Sequence, residues 1–295
     1  MDIAGLHLSN PTILASGVLG SSLKVLQRAV SSGAGALVSP SIGVRASEGF
    51  RAPSMVKVDC GYISAMGLPN PGMDVFAAQL RRMLKDFPII VSIFGSKTRE
   101  LGRIVSMMEN TPAMGYELNL SSPELNSKSV DIQERTEYVS ELVRAVRTKT
   151  QRPLIVKVSS EMPTKMAMVA YDNGADAITA INSVPAMAID VETGYPILSH
   201  VVGGLSGSAI RPIAVKCVYD ITRHVDVPVI GCGGIGSWDD AMEFFYAGAS
   251  AVQIGSAIER KGLRVFREIV GGIRNYLTSA KYNSLKEIVG LAHRR

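Results

Sequence analysis

Short apolar runs alternate with longer amphipathic stretches along almost the whole chain. The runs read TILAS (12–16), ALVS (36–39), IIVSIF (89–94), YELNLS (116–121), LIVKVS (154–159), AITAIN (177–182), VPVIG (227–231) and AVQIG (251–255). Each has the length of a buried strand. Segments of helical period lie between most of them. In residues 130–150, Ile132, Tyr138, Leu142, Val143 and Val146 fall mostly on one face, and residues 209–225 behave alike. Strands alternating with helices predict a parallel sheet with right-handed crossovers. Eight such units predict an α/β fold, a (β/α)8 TIM barrel, with residues 1–295 as one domain. The main competitor, an open doubly wound sheet, carries its nucleotide loop after the first strand. Here the first strand ends in ASGVLG and the richest glycine turns come late, which favours the barrel.

Two intervals are too long for simple loops. Residues 40–88 follow the second strand and are rich in Gly, Pro and Ser; residues 183–208 separate the sixth strand from its helix. In a barrel such insertions are expected over the C-terminal face of the strands, where they can cover a ligand.

Composition narrows the class. Of 295 residues, 46% are apolar and 19% charged, which suits a soluble globular protein with ample core. The net charge of +5 comes without a basic tract or interleaved aromatics, so no nucleic-acid role is expected, only a mild attraction for anionic ligands. Cys60, Cys217 and Cys232 match no zinc or iron–sulfur spacing; a sparse, odd set suits small core residues in a reducing cytoplasm. The N-terminal stretch does not read as a signal peptide, and no run reaches the length of a membrane span.

In a barrel, function sits at the C-terminal ends of the strands. There the sequence places Ala15, Ser16 and Gly17; Asn119, Ser121 and Ser122; Lys157; Asn182 and Ser183; residues 231–236; and Gly255 and Ser256. The set offers no paired carboxylates for glycoside hydrolysis and no His, Asp or Glu cluster for a metal. Amides and hydroxyls suit a flat, neutral, polar heterocycle. GCGGIGSWDDA (231–241), with a helix beginning near Trp238, and GSAI (255–258) suit a phosphate held by backbone N–H groups; GGLSGSAI (203–210) adds further donors. Lys157 interrupts a buried run. It reads as a charge partner for an electron-rich flavin, as a Schiff-base lysine of an aldolase, or as a lysine snorkelling at the rim.

NPTILASGVLG, AMGLPNPG, ELNLSSP, PLIVKVS, AINS, GGLSGSAIRPIAV, PVIGCGGIGSWDDA and AGASAVQIGSA, in this order and spacing, resemble the dihydroorotate dehydrogenases from end to end. The resemblance implies a barrel that binds FMN and oxidises dihydroorotate to orotate in pyrimidine biosynthesis. The chain most resembles the soluble catalytic subunit, expected as a cytoplasmic homo-oligomer. In many prokaryotes that subunit pairs with an electron-transfer subunit carrying FAD and an iron–sulfur cluster. The membrane-bound class has an N-terminal helical extension that this chain lacks.

By the same resemblance, the loop after the fourth strand carries the base that takes a proton from one ring carbon as hydride leaves its neighbour. Soluble relatives usually place cysteine there and the membrane class serine; this chain has Ser122. Asn70, Asn119, Asn182 and Ser183 match residues that hold the pyrimidine, and Lys157 matches the lysine beside the flavin. Ala15, Ser16, Gly17, Gly204, Gly207, Gly233, Gly234, Gly255 and Ser256 complete the implied cofactor site. Two positions depart from the pattern: Pro40 stands where the family has a lysine, and Glu124 where it has an asparagine. Arg45 or Arg51 would have to replace the charge and Asn126 the amide. A less anionic dihydropyrimidine is the alternative substrate.

Overall fold

The computed structural model describes residues 1–120 and 132–294. Among these, parallel strands Thr12–Leu14, Ala36–Val38, Ile89–Ile93, Gly115–Asn119, Leu154–Val158, Ala177–Ala180, Val229–Cys232 and Ala251–Ile254 close into one barrel. They follow chain order around the ring, and the sixth strand pairs with the fifth and seventh. All eight apolar runs are the barrel strands.

The reason lies in burial on both faces. Outward residues such as Tyr116, Leu118, Val156 and Ile178 pack beneath the helices. Inward residues of the lower barrel, among them Ile13, Val38, Ile90, Ile155 and Ile230, form a separate apolar plug. The helices follow their apolar stripes. Ile132–Arg147 buries Val139, Leu142, Val143 and Val146, while Tyr138 is half-buried and donates its hydroxyl to the Ser96 carbonyl at 2.8 Å. Arg211–His224 buries Ala214, Cys217, Val218 and Ile221.

The ends of the barrel are finished differently. At the N-terminal end, Asp2–Ile3 and Leu6–His7 form a hairpin, and Ile3, Leu6 and Leu8 join the lower interior cluster. At the other end the two insertions pair with each other. Met55–Val58, Gly61–Ser64, Gly203–Ser206 and Val184–Ala186 make a four-stranded antiparallel sheet with its own small core of Ile63, Ala65 and Leu198. Gly61 permits the pairing: a Cβ there would lie 1.8 Å from the Ser206 carbonyl oxygen. The Tyr62 hydroxyl donates to Glu259, tying this sheet to the helix after the eighth strand.

The cysteine expectation needs one correction. Cys217 and Cys232 are buried, but Cys60 lies exposed at the turn between two insertion strands. The Cys60 carbonyl accepts from the Ala209 N–H and the Ser208 hydroxyl, so the turn is held through its backbone and not by burial of the thiol. Among the described residues, no helix is long and apolar enough to cross a membrane.

Candidate active site

Strand alternation aims every second side chain of a barrel strand at the interior. In Gly115–Asn119 this turns Glu117 and Asn119 inward, and in Leu154–Val158 it turns Ile155 and Lys157 inward. The upper interior is therefore polar above an apolar floor. Ser92 and Ser41 share a hydroxyl hydrogen bond of 2.9 Å. The Asn119 amide donates to Ser41 Oγ at 3.0 Å, and the Asn182 amide donates to Asn119 Oδ1 at 3.3 Å. Asn182 Oδ1 in turn accepts the Ser183 N–H at 2.9 Å. One line of small polar groups thus runs from the second and third strands to the sixth.

Asn70 lies in the first insertion and is 6% exposed. Its Oδ1 accepts from the N–H groups of Gly43 and Gly72 at 3.2 and 2.9 Å, and its amide donates to the Leu68 carbonyl at 2.9 Å. It shapes the loop in which it stands. At the second strand's end, Ser39 and Pro40 are both buried. Ser39 Oγ accepts the Ser92 N–H at 3.0 Å, and Ser16 donates to the Ser39 carbonyl at 2.7 Å. Arg45 and Arg51 are exposed.

The glycine turns meet on the opposite side. A Cβ on Gly234, whose φ is +74°, would lie 2.8 Å from the Gly207 carbonyl oxygen, so these two backbones approach as only glycine allows. A Cβ on Gly204 would lie 2.0 Å from Ser183 Oγ. Gly233 has φ +133°, and Gly255 stands beside Ala15, 3.6 Å from its Cβ by the same construction. Gly17, also at positive φ, faces open space. Helix Trp238–Tyr246 starts after Ser237, whose hydroxyl accepts the Asp240 N–H, and Arg211 at the head of its own helix pairs with Asp240 and Glu243. Ser256 precedes the short helix Ala257–Lys261 without capping it through its side chain.

Lys157 forms the floor between the amide line and the seventh strand. Its Nζ donates to Gln253 Oε1 at 3.0 Å and lies 3.8 Å from Glu117 Oε1. Gln253 donates to Glu117, and Thr179 donates to Glu117 Oε2 at 2.9 Å. Burial pulls the lysine pKa down, but Cys232 and Glu117 push it further up, so the net shift is upward. Burial raises the Cys232 thiol, which leaves it neutral near pH 7. A cleft opens above, lined by Leu120, Lys157, Ser159, Glu161, Asn182 and Ser183 among others. Among the described residues, no group of His, Cys, Asp and Glu is arranged to hold a metal.

The family profile of dihydroorotate dehydrogenase matches residues 1–277. The chain belongs to the dihydroorotate dehydrogenase family. It is 44% identical to the "Dihydroorotate dehydrogenase B (NAD(+)), catalytic subunit" of Pyrococcus furiosus, covering 100% of this chain and 98% of that one. The protein so described in Methanothermobacter thermautotrophicus is 40% identical, over 99% and 97%. A crystal structure of DHODH from Eimeria tenella in complex with ferulenol superposes with a TM-score of 0.83 at 22% identity, covering 100% of this chain and 88% of that one. That likeness speaks for the fold alone.

Membership makes this an oxidoreductase of the dihydroorotate dehydrogenase type and retires the aldolase reading of Lys157. The geometry agrees, because a Schiff-base lysine must shed its proton and this one is held charged. Of the site residues that the family resemblance implies, the structure brings Asn119, Asn182, Ser183 and Lys157 together in the cleft region and sets Gly207 against Gly234. Ser122, with Ser121, Glu124 and Asn126, lies outside the described residues. Sequence reasoning missed Glu117, Gln253, Thr179 and Ser41. For the first three the signal was present: strand alternation puts Glu117 on the face of Asn119 and Gln253 on the interior face of its own strand. Ser41 follows a proline in a loop, and no periodicity marks it.

Proposed function

We propose that this chain oxidises dihydroorotate to orotate in pyrimidine biosynthesis, using FMN as cofactor and Ser122 as the proton acceptor. The observation that carries the reading is the Asn119–Asn182 amide line beside the buried Lys157 ammonium, in a chain matched end to end by the dihydroorotate dehydrogenase B relatives.

The residues fit FMN. Lys157 lines the cleft with its ammonium held charged, and Gly17, beside Ser16 at the end of the first strand, faces open space that a Cβ would enter. Gly233, Gly234, Gly255 and Ser256 are the proposed backbone donors to its phosphate, with Gly204, Gly207, Ala15, Ser16 and Gly17 around the ring system. Bound FMN supplies a two-electron acceptor. Around it, Lys157 stands opposite developing negative charge, and Asn70, Asn119, Asn182 and Ser183 orient the pyrimidine. Ser122 takes the ring proton with help from hydrogen bonds or a bound water. A separate subunit bearing FAD and an iron–sulfur cluster would carry the electrons onward. The words "catalytic subunit" in the relatives' names support the presence of a partner subunit.

The buried Ser39–Pro40 pair, standing where the family has a lysine, favours a second reading in which the ring is an uncharged dihydropyrimidine. Anaerobic titration separates the two. Dihydroorotate is expected to bleach the flavin absorbance stoichiometrically, while 5,6-dihydrouracil leaves it intact. The reverse pattern would move the assignment to the second reading, and a colourless protein that takes up no FMN would refute both.

A further inference from the structure

Three interior side chains just below the cleft have no part in the reaction as described. Glu117, Thr179 and Gln253 come from the fourth, sixth and eighth barrel strands, the alternation that builds one layer of a barrel interior. Such layers are ordinarily filled by branched apolar residues. Here the layer holds a carboxylate with 0% exposure. A buried charge is costly unless it is paired and hydrogen-bonded.

Glu117 is hydrogen-bonded but not in direct contact with its cation. Oε2 accepts from Thr179 and Gln253, while Oε1 has no hydrogen-bond partner and lies 3.8 Å from Lys157 Nζ. That is about an ångström beyond a charge-assisted hydrogen bond. Gln253 explains the stand-off. Its amide nitrogen is committed to Glu117 and Thr179, so its carbonyl oxygen must point the other way, where it accepts from Lys157 at 3.0 Å. The carboxylate orients the amide, and the amide orients the ammonium. Lys157 is thereby kept at the cleft floor instead of collapsing onto Glu117. Cys232 is the other titratable group facing this lysine, and its thiol is neutral near pH 7.

We infer that Glu117 is a positioning residue: through Gln253 it holds the Lys157 ammonium at the cleft floor, and its charge sets how strongly that ammonium favours reduced over oxidised flavin. This deepens the FMN reading above and rests on it. In oxidised enzyme the two charges balance. On reduction the ring gains negative charge, and an ammonium already half-countered from below answers it less strongly than a bare one would.

Two readouts test this in the purified full-length protein. The first needs no flavin: 15N NMR of the Lys157 ammonium is expected to show Glu117→Gln losing the proton at least one pH unit earlier than wild type, a tenfold drop in proton affinity. The second is the flavin midpoint potential at a pH where Lys157 stays charged. Glu117→Gln is expected to raise the preference for reduced over oxidised FMN about tenfold, or about 30 mV for a two-electron couple. That gain should vanish as pH rises through the new lysine titration. Glu117→Asp, which keeps the charge but withdraws it by one methylene, is expected to move both readouts the same way by less, and it serves if Glu117→Gln does not fold. A merely structural role would change the unfolding midpoint and leave both readouts in place. An unmoved Lys157 titration in these variants overturns the inference whether or not FMN binds. If the titration moves but the wild type takes up no FMN, the positioning of Lys157 stands and the flavin reading falls.

Discussion

At the scale of single residues, the question is which group moves the proton and which holds the charge. Ser122→Ala is expected to bind FMN and the pyrimidine with little change, because Asn70, Asn119, Asn182 and Ser183 remain. Stopped-flow flavin reduction should slow by about two orders of magnitude or more, the loss typical of a general base. Ser122→Cys should keep activity and shift its profile to lower pH, since a thiol ionises more readily than an alcohol. Fast reduction in Ser122→Ala together with its loss in Glu124→Gln would transfer the role to the carboxylate. Lys157 carries a separate prediction. Its pKa is raised in the folded protein, so its stabilising contribution is complete below the ordinary lysine value of about 10.4 and is lost as pH rises through the folded value. Urea unfolding of wild type against the doubly neutral Glu117→Gln, Lys157→Met protein should give a constant difference from pH 7 to about pH 9 and a falling one above the ordinary lysine range. A difference that grew with pH would reverse the sign of the shift. Asn119 and Asn182 were legible in the sequence because polar residues stand out towards the ends of apolar runs, and Lys157 because a charge interrupts one. The alternation that turns Glu117 and Gln253 inward was there to read, but only the register of the strands shows that both face one point.

At the scale of elements, the barrel strands were legible because each is buried on both faces and so reads as a continuous apolar run. The insertion sheet was not. Its strands are three or four residues long and mostly half-buried or exposed, and the pairing that joins them, Gly61–Ser64 with Gly203–Ser206, reaches across to the other insertion. Local pattern carries no record of a partner that far away. The sheet depends on the close passage of Gly61 against Ser206. Gly61→Val should separate the insertions, and hydrogen exchange should show lost protection at Gly203–Ser206 while the barrel strands keep theirs. Because Ser183 and Val184 lead from the amide line into this sheet, the Michaelis constant is expected to rise more than the turnover number falls. Retained protection at residues 203–206 would mean that the two insertions hold together without this contact.

At the scale of the whole molecule, the barrel has one end for stability and one for chemistry. Counting the runs was enough to close the barrel, but the hairpin that plugs its lower end left too short an apolar signal to be read. Leu6 is fully buried there with Ile13, Ile90 and Ile155. Leu6→Ala should cost about 2–5 kcal/mol by denaturant unfolding, the range for a buried leucine. FMN affinity should not change, since the cleft lies at the far end of the strands, and a coupled loss of both would contradict this division. The insertion sheet, finally, imposes a wait during synthesis. Met55–Val58 and Gly61–Ser64 leave the ribosome first, but Gly203–Ser206, which pairs with Gly61–Ser64, is made on the order of 140 residues later. At about 5–20 residues per second that delay is on the order of ten seconds. Through it the nascent chain carries a hairpin whose Gly61–Ser64 edge stays open to pairing with a neighbouring chain on the same messenger, while Lys57, on the other strand, guards only the far edge.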